Sequence, residues 1–178
     1  MANYDFPTEV ISLPSQGKCY PESNPLSKGQ VEIKYMTAKE EEILASQNLI
    51  RKGVVLDKLF ESIIVDKDVN VDDILIGDKN AIMLATRILG YGKDYVIETE
   101  DGLGDKESIT VDLSKIQTKE VDFEKLNQEN KYQFTTSTGV VIEYKFLSHG
   151  DEKKIDADIR ALQRLNKGGV SAELTTRY

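Results

Sequence analysis

"VDKDVNVDDILIGDKNAIMLATRILGYG", residues 65–92, starts with acids at every second position and ends in a dense apolar run. The fold depends on whether its first half is a metal loop or a connector between helices. Asp66, Asp68, Asn70 and Asp72 are spaced like oxygen ligands of a calcium loop. An EF-hand loop starting at Asp66 would need Gly at its sixth position and Glu at its twelfth, and Val71 and Gly77 stand there. Starting at Asp68 puts Asp73 and Lys79 at those positions, which fits no better. The stretch therefore reads as a solvated connector built from Asx turns and caps, with Asp78 as N-cap of the next helix. In that helix Ala81, Ile82, Leu84, Ala85, Ile88 and Leu89 leave a polar strip only at Lys79, Asn80, Thr86 and Arg87. A helix this apolar is expected to be buried on most sides and to stop at Gly90.

Two helices are expected upstream of the connector. "TAKEEEILASQNLIRKG" has capping-box spacing at Thr37 and Glu40, acids in its first turns, Arg51 and Lys52 in its last, and Gly53 just beyond. "VVLDKLFESII" repeats Leu56, Leu59, Phe60, Ile63 and Ile64 at helical spacing, with Asp57, Lys58, Glu61 and Ser62 on the other face. Before them, "EVISL" and "QVEIKYM" read as short strands, the second with Val31, Ile33 and Tyr35 on one face. The loop between them carries three of the chain's four prolines.

From residue 95 the period changes to two. "YVIET" and "ESITVDL" read as strands around the turn-rich "EDGLGDK". "KYQFTTSTGVVIEYKFL" reads as a hairpin turning near Ser137-Thr138-Gly139, with Val140, Ile142, Tyr144 and Phe146 sharing a face. "HGDEKKIDADIRALQRLNKGG" returns to helical spacing through Ile155, Ile159, Leu162 and Leu165, and Gly168-Gly169 ends it. "VSAELTTRY" opens a further helix capped by Ser171. The predicted fold is α+β: a strand pair and helices over 1–94, a metal-free β-hairpin-rich insertion over 95–147, and a helical region over 148–178 packing back on the first.

The chain has 178 residues, 30% of them charged, and a net charge of −8 from 23 basic and 31 acidic residues. No apolar run reaches the roughly 18–20 residues that span a bilayer. "MANYDFPTEV" lacks the basic and apolar regions of a signal peptide. Lysine and arginine are scattered, so no basic stripe offers itself to nucleic acid, and the acidic balance disfavours anionic membranes. Protein partners are the default.

Catalytic options are narrow. Cys19 is the only cysteine and His149 the only histidine, so neither a disulfide nor a cysteine zinc cluster can form within the chain. No nucleophile motif accompanies His149, which reads as a surface or capping-region residue. "SQGKCY" lacks the upstream Gly and following Ser/Thr of a phosphate loop. The residues thus supply no catalytic, cofactor-binding or metal-binding set, and the expectation is a protein that is not an enzyme and uses no cofactor. Tyr20, Tyr35, Tyr91, Tyr95, Tyr132 and Tyr144 serve either core packing or interface anchoring. The segments singled out for contact are the 14–29 loop and the 66–80 connector, because recognition residues often sit on loops held by a scaffold. With the end of the apolar helix added, the candidates are Lys18, Tyr20, Asp72, Asp73, Asp78, Lys79, Arg87 and Tyr91.

The block 29–95 resembles the baseplate hub assembly proteins, or baseplate chaperones, of T-even-like contractile-tailed bacteriophages. "YMTAKEEEIL", "GVVLDKL" and "DILIGDKNAIMLATRILGYG" carry the likeness, "LPSQGKCY" at 13–20 joins it, and the later strands and helix follow more loosely. The resemblance implies a non-enzymatic assembly factor, either chaperone or scaffold, acting on other hub or tail proteins in the host cytoplasm. The alternative it leaves open is a permanent structural component carried in the virion baseplate. Self-association is a further open alternative. Two departures stand out. Some family members carry cysteine pairs near the 99–106 turn, where this chain has "ETEDGLGDKE" without a cysteine. The family also usually runs past the point where this chain ends at Tyr178, so the chain is expected to be a truncation or a short member.

Overall fold

The computed structural model describes residues 6–100, 106–119 and 121–165. Among them are five helices and three two-stranded antiparallel sheets, an α+β fold. Thr8–Ser12 (β1) pairs with Gln30–Lys34 (β2), from Thr8 opposite Lys34 to Ser12 opposite Gln30. The loop between them folds back on itself through Gly17 and Gly29, at φ +77° and +73°. A Cβ on Gly17 would lie 2.2 Å from the Ser27 carbonyl oxygen, so both the dihedral and the close approach require glycine. Asn24 caps the short turn Pro25–Lys28 by accepting the Leu26 N–H at 3.0 Å, and Leu26 is driven into the core.

The helix expected over 37–53 is two helices, Ala38–Ala45 (α1) and Gln47–Lys52 (α2). Ser46 breaks it: its backbone is extended and its hydroxyl accepts the Leu49 N–H, restarting the helix as a cap. The capping box at the start of α1 forms, with the Glu40 carboxylate taking the Thr37 N–H at 2.9 Å. Val55–Ile63 (α3) follows Gly53, which ends α2 in the left-handed conformation. Leu59, Phe60 and Ile63 bury their side chains with Val31, Ile33, Ile64, Ile74 and Ile82. These residues form the one described core, and Ile33 and Ile64 pair across it as a β-bridge.

The expected connector forms but ends at Leu75, because the next helix already holds residues 76–80. Asp66 accepts the Asp68 N–H and Asn70 accepts the Asp72 N–H, two Asx turns that lead into a short 3-10 turn at Val71–Asp73. Its cap, however, is misassigned by sequence. The next helix, Ile76–Tyr91 (α4), starts two residues before Asp78, so Asp78 lies in the first turn and points inward, 1% exposed. Gly90 does not stop the helix; Gly92 does, at φ +83°. Gly90 instead admits Met36, whose Cε would lie 2.3 Å from any Cβ there. The burial of α4 also differs from expectation. Ile82 is fully buried, as are Lys79 and Thr86 from the supposed polar strip, whereas Ala81, Leu84, Ala85 and Ile88 are half-buried. Thr86 is satisfied by its own helix, donating to the Ile82 carbonyl at 2.7 Å. The half-buried stripe lines a groove of about 740 Å³ between α4 and residues 113–123.

Asp94–Glu100 (β3) pairs with Lys106–Asp112 (β4), and Tyr132–Thr135 (β5) pairs with Val141–Tyr144 (β6) around Gly139. The turn residues 101–105 lie outside the described residues. After the second hairpin the chain rejoins the core. Ile76 N–H donates to the Leu147 carbonyl and His149 N–H to the Ile74 carbonyl, and His149–Leu165 (α5) packs by its first turns on the Val71–Asp73 turn. Residues 95–147 are thus bracketed by segments of one core. The expected Ser171-capped helix and the Gly168-Gly169 stop lie outside the described residues, as does the side chain of Leu165.

Candidate interaction surface

Two polar joints hold the loops that sequence reading had marked for contact. In the first, Asp78 accepts the Ser15 N–H at 2.9 Å, the Ser15 hydroxyl at 2.7 Å and the Tyr20 hydroxyl at 2.6 Å. The Tyr20 oxygen in turn accepts the Leu75 N–H at 2.9 Å. Burial, then the Asp78 charge, raises the Tyr20 pKa far above that of a free phenol. The 14–29 loop is thereby fastened to the start of α4. A cavity of about 190 Å³ lies beside this joint, lined by Cys19, Leu75, Leu126 and Phe146 among others. Tyr132 reaches Cys19 there at 3.4 Å, and burial pushes its pKa up to about 12.

The second joint ties α5 to the helical half. His149 is buried, with Nε2 at 2.5 Å from Asp57 and Nδ1 at 3.3 Å from Glu152. Glu152 also holds Lys79, and Lys153 bridges Asp57 at 2.9 Å and Asp72 at 2.8 Å. Burial pushes the Asp57 pKa up, but hydrogen bonds from His149 and Lys153 outweigh it and hold the carboxylate below its usual range. Glu152 is held down too, first by Lys79. An Asp-His pair is part of a nucleophilic triad, but both ring nitrogens here face carboxylates, so neither is left to take a proton from a nucleophile. The arrangement serves as a clamp. His149 opens α5, as expected of a capping-region residue, but it is buried rather than on the surface, and Asp57, assigned by its helical period to a solvent face, is 9% exposed.

A third polar cluster stabilises α1. Glu40, 0% exposed, accepts from Lys34 at 2.8 Å, Ser62 at 2.5 Å, and the Thr37 N–H and hydroxyl. Burial opposes its charge, but these donors more than offset that and hold its pKa well below the carboxylate range. Among the described residues no group of three or more His, Cys, Asp or Glu could hold a metal ion. None of the described helices is long and apolar enough to cross a membrane.

These joints sort the eight contact candidates. Tyr20, Asp78 and Lys79 are buried, so they fasten the protein internally and are corrected from contact residues to structural ones. The polar tip of each is taken up by a partner far away in sequence. Asp72 is exposed but held by Lys153. Arg87 is half-buried, stacks 4.8 Å from the Tyr91 ring centre and 5.7 Å from Tyr95, and donates to the Gly92 carbonyl. Tyr91 is exposed and donates its hydroxyl to Glu41 at 2.8 Å. Lys18 and Asp73 are exposed.

The open apolar surface lies elsewhere, on the two hairpins. The register puts Tyr95, Ile97, Ile109 and Val111 on one face of the β3–β4 arm. It puts Tyr132, Phe134, Ile142 and Tyr144 on one face of the β5–β6 arm, where Tyr132 stacks on Tyr144 with ring centres 5.4 Å apart. Tyr95 and Ile109 are each 46% exposed, Phe134 59% and Ile142 47%. A two-stranded hairpin alone is marginal in water, and one with a bare apolar face invites a cover. Alternation in the sequence points to the face of Ile142 and Tyr144, but nothing in it shows that the core leaves either arm's face open. Comparison of the chain with protein-family models, curated proteins and solved structures finds no match.

Proposed function

We propose that this chain is a non-enzymatic assembly factor for the baseplate hub of a contractile-tailed bacteriophage, working in the host cytoplasm through contacts with other hub or tail proteins. The observation that carries the reading is the pair of arms with open apolar faces, mounted on a helical scaffold that its buried polar joints make stiff. An assembly factor needs a firm body and an adhesive surface that a partner can cover. The arms supply the surface, centred on Ile97 and Ile109 in one and Phe134 and Ile142 in the other. The ordered segments "YMTAKEEEIL", "GVVLDKL" and "DILIGDKNAIMLATRILGYG" supply the link to hub assembly by resemblance. The arms would hold apolar surface on a hub subunit until the next subunit replaces them.

The test is to tag the chain in infected cells and identify by mass spectrometry what co-purifies, while assaying purified virions for the chain. Hub subunits at stoichiometric yield, with the chain absent from virions, are expected. The chain at fixed stoichiometry in virions makes it a structural component instead, and no tail protein among the co-purified species sinks the reading.

A further inference from the structure

The β3–β4 arm differs from its neighbour in charge, and the difference specifies what covers it. Residues 93–112 hold seven acids and two lysines, within a chain whose whole net charge is −8. The register sorts them. Tyr95, Ile97, Ile109 and Val111 occupy one face, and Asp94, Glu98, Glu100 and Asp112 occupy the other, with Glu107 at the rim of the apolar face opposite Thr99. Lys93 is taken at the base, 2.7 Å from Asp112 and 3.5 Å from Asp94. Lys106 is the only other base within residues 93–112, and Arg87 of α4 stands 5.7 Å from the Tyr95 ring centre. The β5–β6 arm, residues 131–145, has the same apolar design with one acid and two lysines.

We propose that the β3–β4 arm docks a protein surface that is apolar at its centre and rimmed by lysine or arginine. Three points select this partner. With Glu107 at the rim of the strip and four more acids on the back of the same thin arm, a basic rim on the partner is attracted and an acidic one repelled, an effect that decides partner choice more than affinity. Nucleic acid and anionic lipid are repelled by the same acids. A second copy brings the same charge. One face offers only about 240 Å², from about 24 Å of paired strand and about 10 Å of width, so whatever partner docks reaches beyond it. The contact is completed along the strand edges, since neither β3 nor β4 has a third strand beside it among the described residues.

This deepens the reading of the chain as an interaction module by naming one arm's partner chemistry, and its test uses no phage protein, so the two can fail separately. Two short strand peptides serve as probes, one alternating valine with lysine and one alternating valine with glutamate. Each is titrated into the full chain labelled with nitrogen-15 and followed by amide shifts. The lysine peptide is expected to shift residues 95–100 and 106–111, to weaken as salt is raised, and to lose about tenfold in affinity with Ile97→Ser plus Ile109→Ser. Ile142→Ser on the other arm is expected to leave that affinity unchanged. An unchanged melting temperature shows that each variant is folded; Ile109→Ser alone replaces the double variant if it is not. Equal binding of the glutamate peptide, shifts confined to other residues, or no binding of the lysine peptide would overturn the proposal. So would a concentration-dependent dimer in sedimentation that Ile97→Ser abolishes, because a second copy would then be the occupant.

Discussion

Replacing Tyr20 with phenylalanine should destabilise the chain by about 3 kcal/mol, although it removes a single oxygen. That oxygen donates to Asp78 at 2.6 Å and accepts from Leu75 N–H at 2.9 Å, and the residue is buried. A hydrogen bond to a charged group contributes about 1.5–3 kcal/mol, and a buried N–H left without a partner costs about 1–3 kcal/mol. Asp78 keeps two bonds from Ser15, so its carboxylate is not orphaned and the two terms overlap, which puts the total near the low end of their combined range of about 2.5–6 kcal/mol. For a chain of this size about 3 kcal/mol corresponds to roughly 6–12 °C in melting temperature. The chain has no tryptophan, so far-UV circular dichroism against urea is the natural readout, with the slope checked for constancy. A loss below about 1 kcal/mol with an unchanged slope would refute the view that this hydroxyl fastens the loop to α4. Unchanged stability with lost partner binding would return Tyr20 to the contact surface.

Other perturbations address the remaining joints. Glu40→Gln leaves Lys34 without its buried counter-charge and should cost about 3–5 kcal/mol in the same urea assay. Glu40, Asp57 and Glu152 are all held below their usual pKa, so the stability they add is fully present above about pH 4–5 and falls as pH drops through their lower folded values. Urea midpoints should therefore decline on acidification below about pH 4, and Glu40→Gln should flatten that decline. His149→Ala removes the ring between Asp57 and Glu152, so hydrogen exchange should quicken in α5 while the Phe60–Ile63 core stays protected. Gly17→Ala forces a Cβ to 2.2 Å from the Ser27 oxygen at a left-handed dihedral and should cost about 2 kcal/mol or more, measured by thermal unfolding.

Local rules were legible where the deciding atoms lie close in sequence. The Thr37–Glu40 box, the Gly53 stop, the Asx turns at Asp66 and Asn70, and the strand alternation all form as the residues indicate. Position-specific errors arise where a distant partner competes. Ser46 has equal claims as a helix residue and as a cap, and it takes the cap, with α1 and α2 each packed on α3. Asp78 has the composition of a cap, but Ser15 and Tyr20, about sixty residues upstream, draw it inward. Lys79 and Asp57 sit on polar helical strips and are buried because α5 returns with Glu152, His149 and Lys153. The candidate surface shows the same limit. Alternation placed Ile142 and Tyr144 on one face, yet only the tertiary arrangement leaves that face without a cover.

The proposed role in hub assembly is tested most directly by complementation. A phage lacking this chain is supplied with the wild-type chain or with Ile97→Ser, Ile109→Ser, Phe134→Ser and Ile142→Ser combined, and assembled baseplates in lysates are counted by electron microscopy. All four residues are 40–59% exposed and lie outside the buried core, so the variant should fold, which an unchanged melting temperature verifies. The account predicts that this folded variant fails to support baseplates. Baseplate numbers equal to wild type would contradict it.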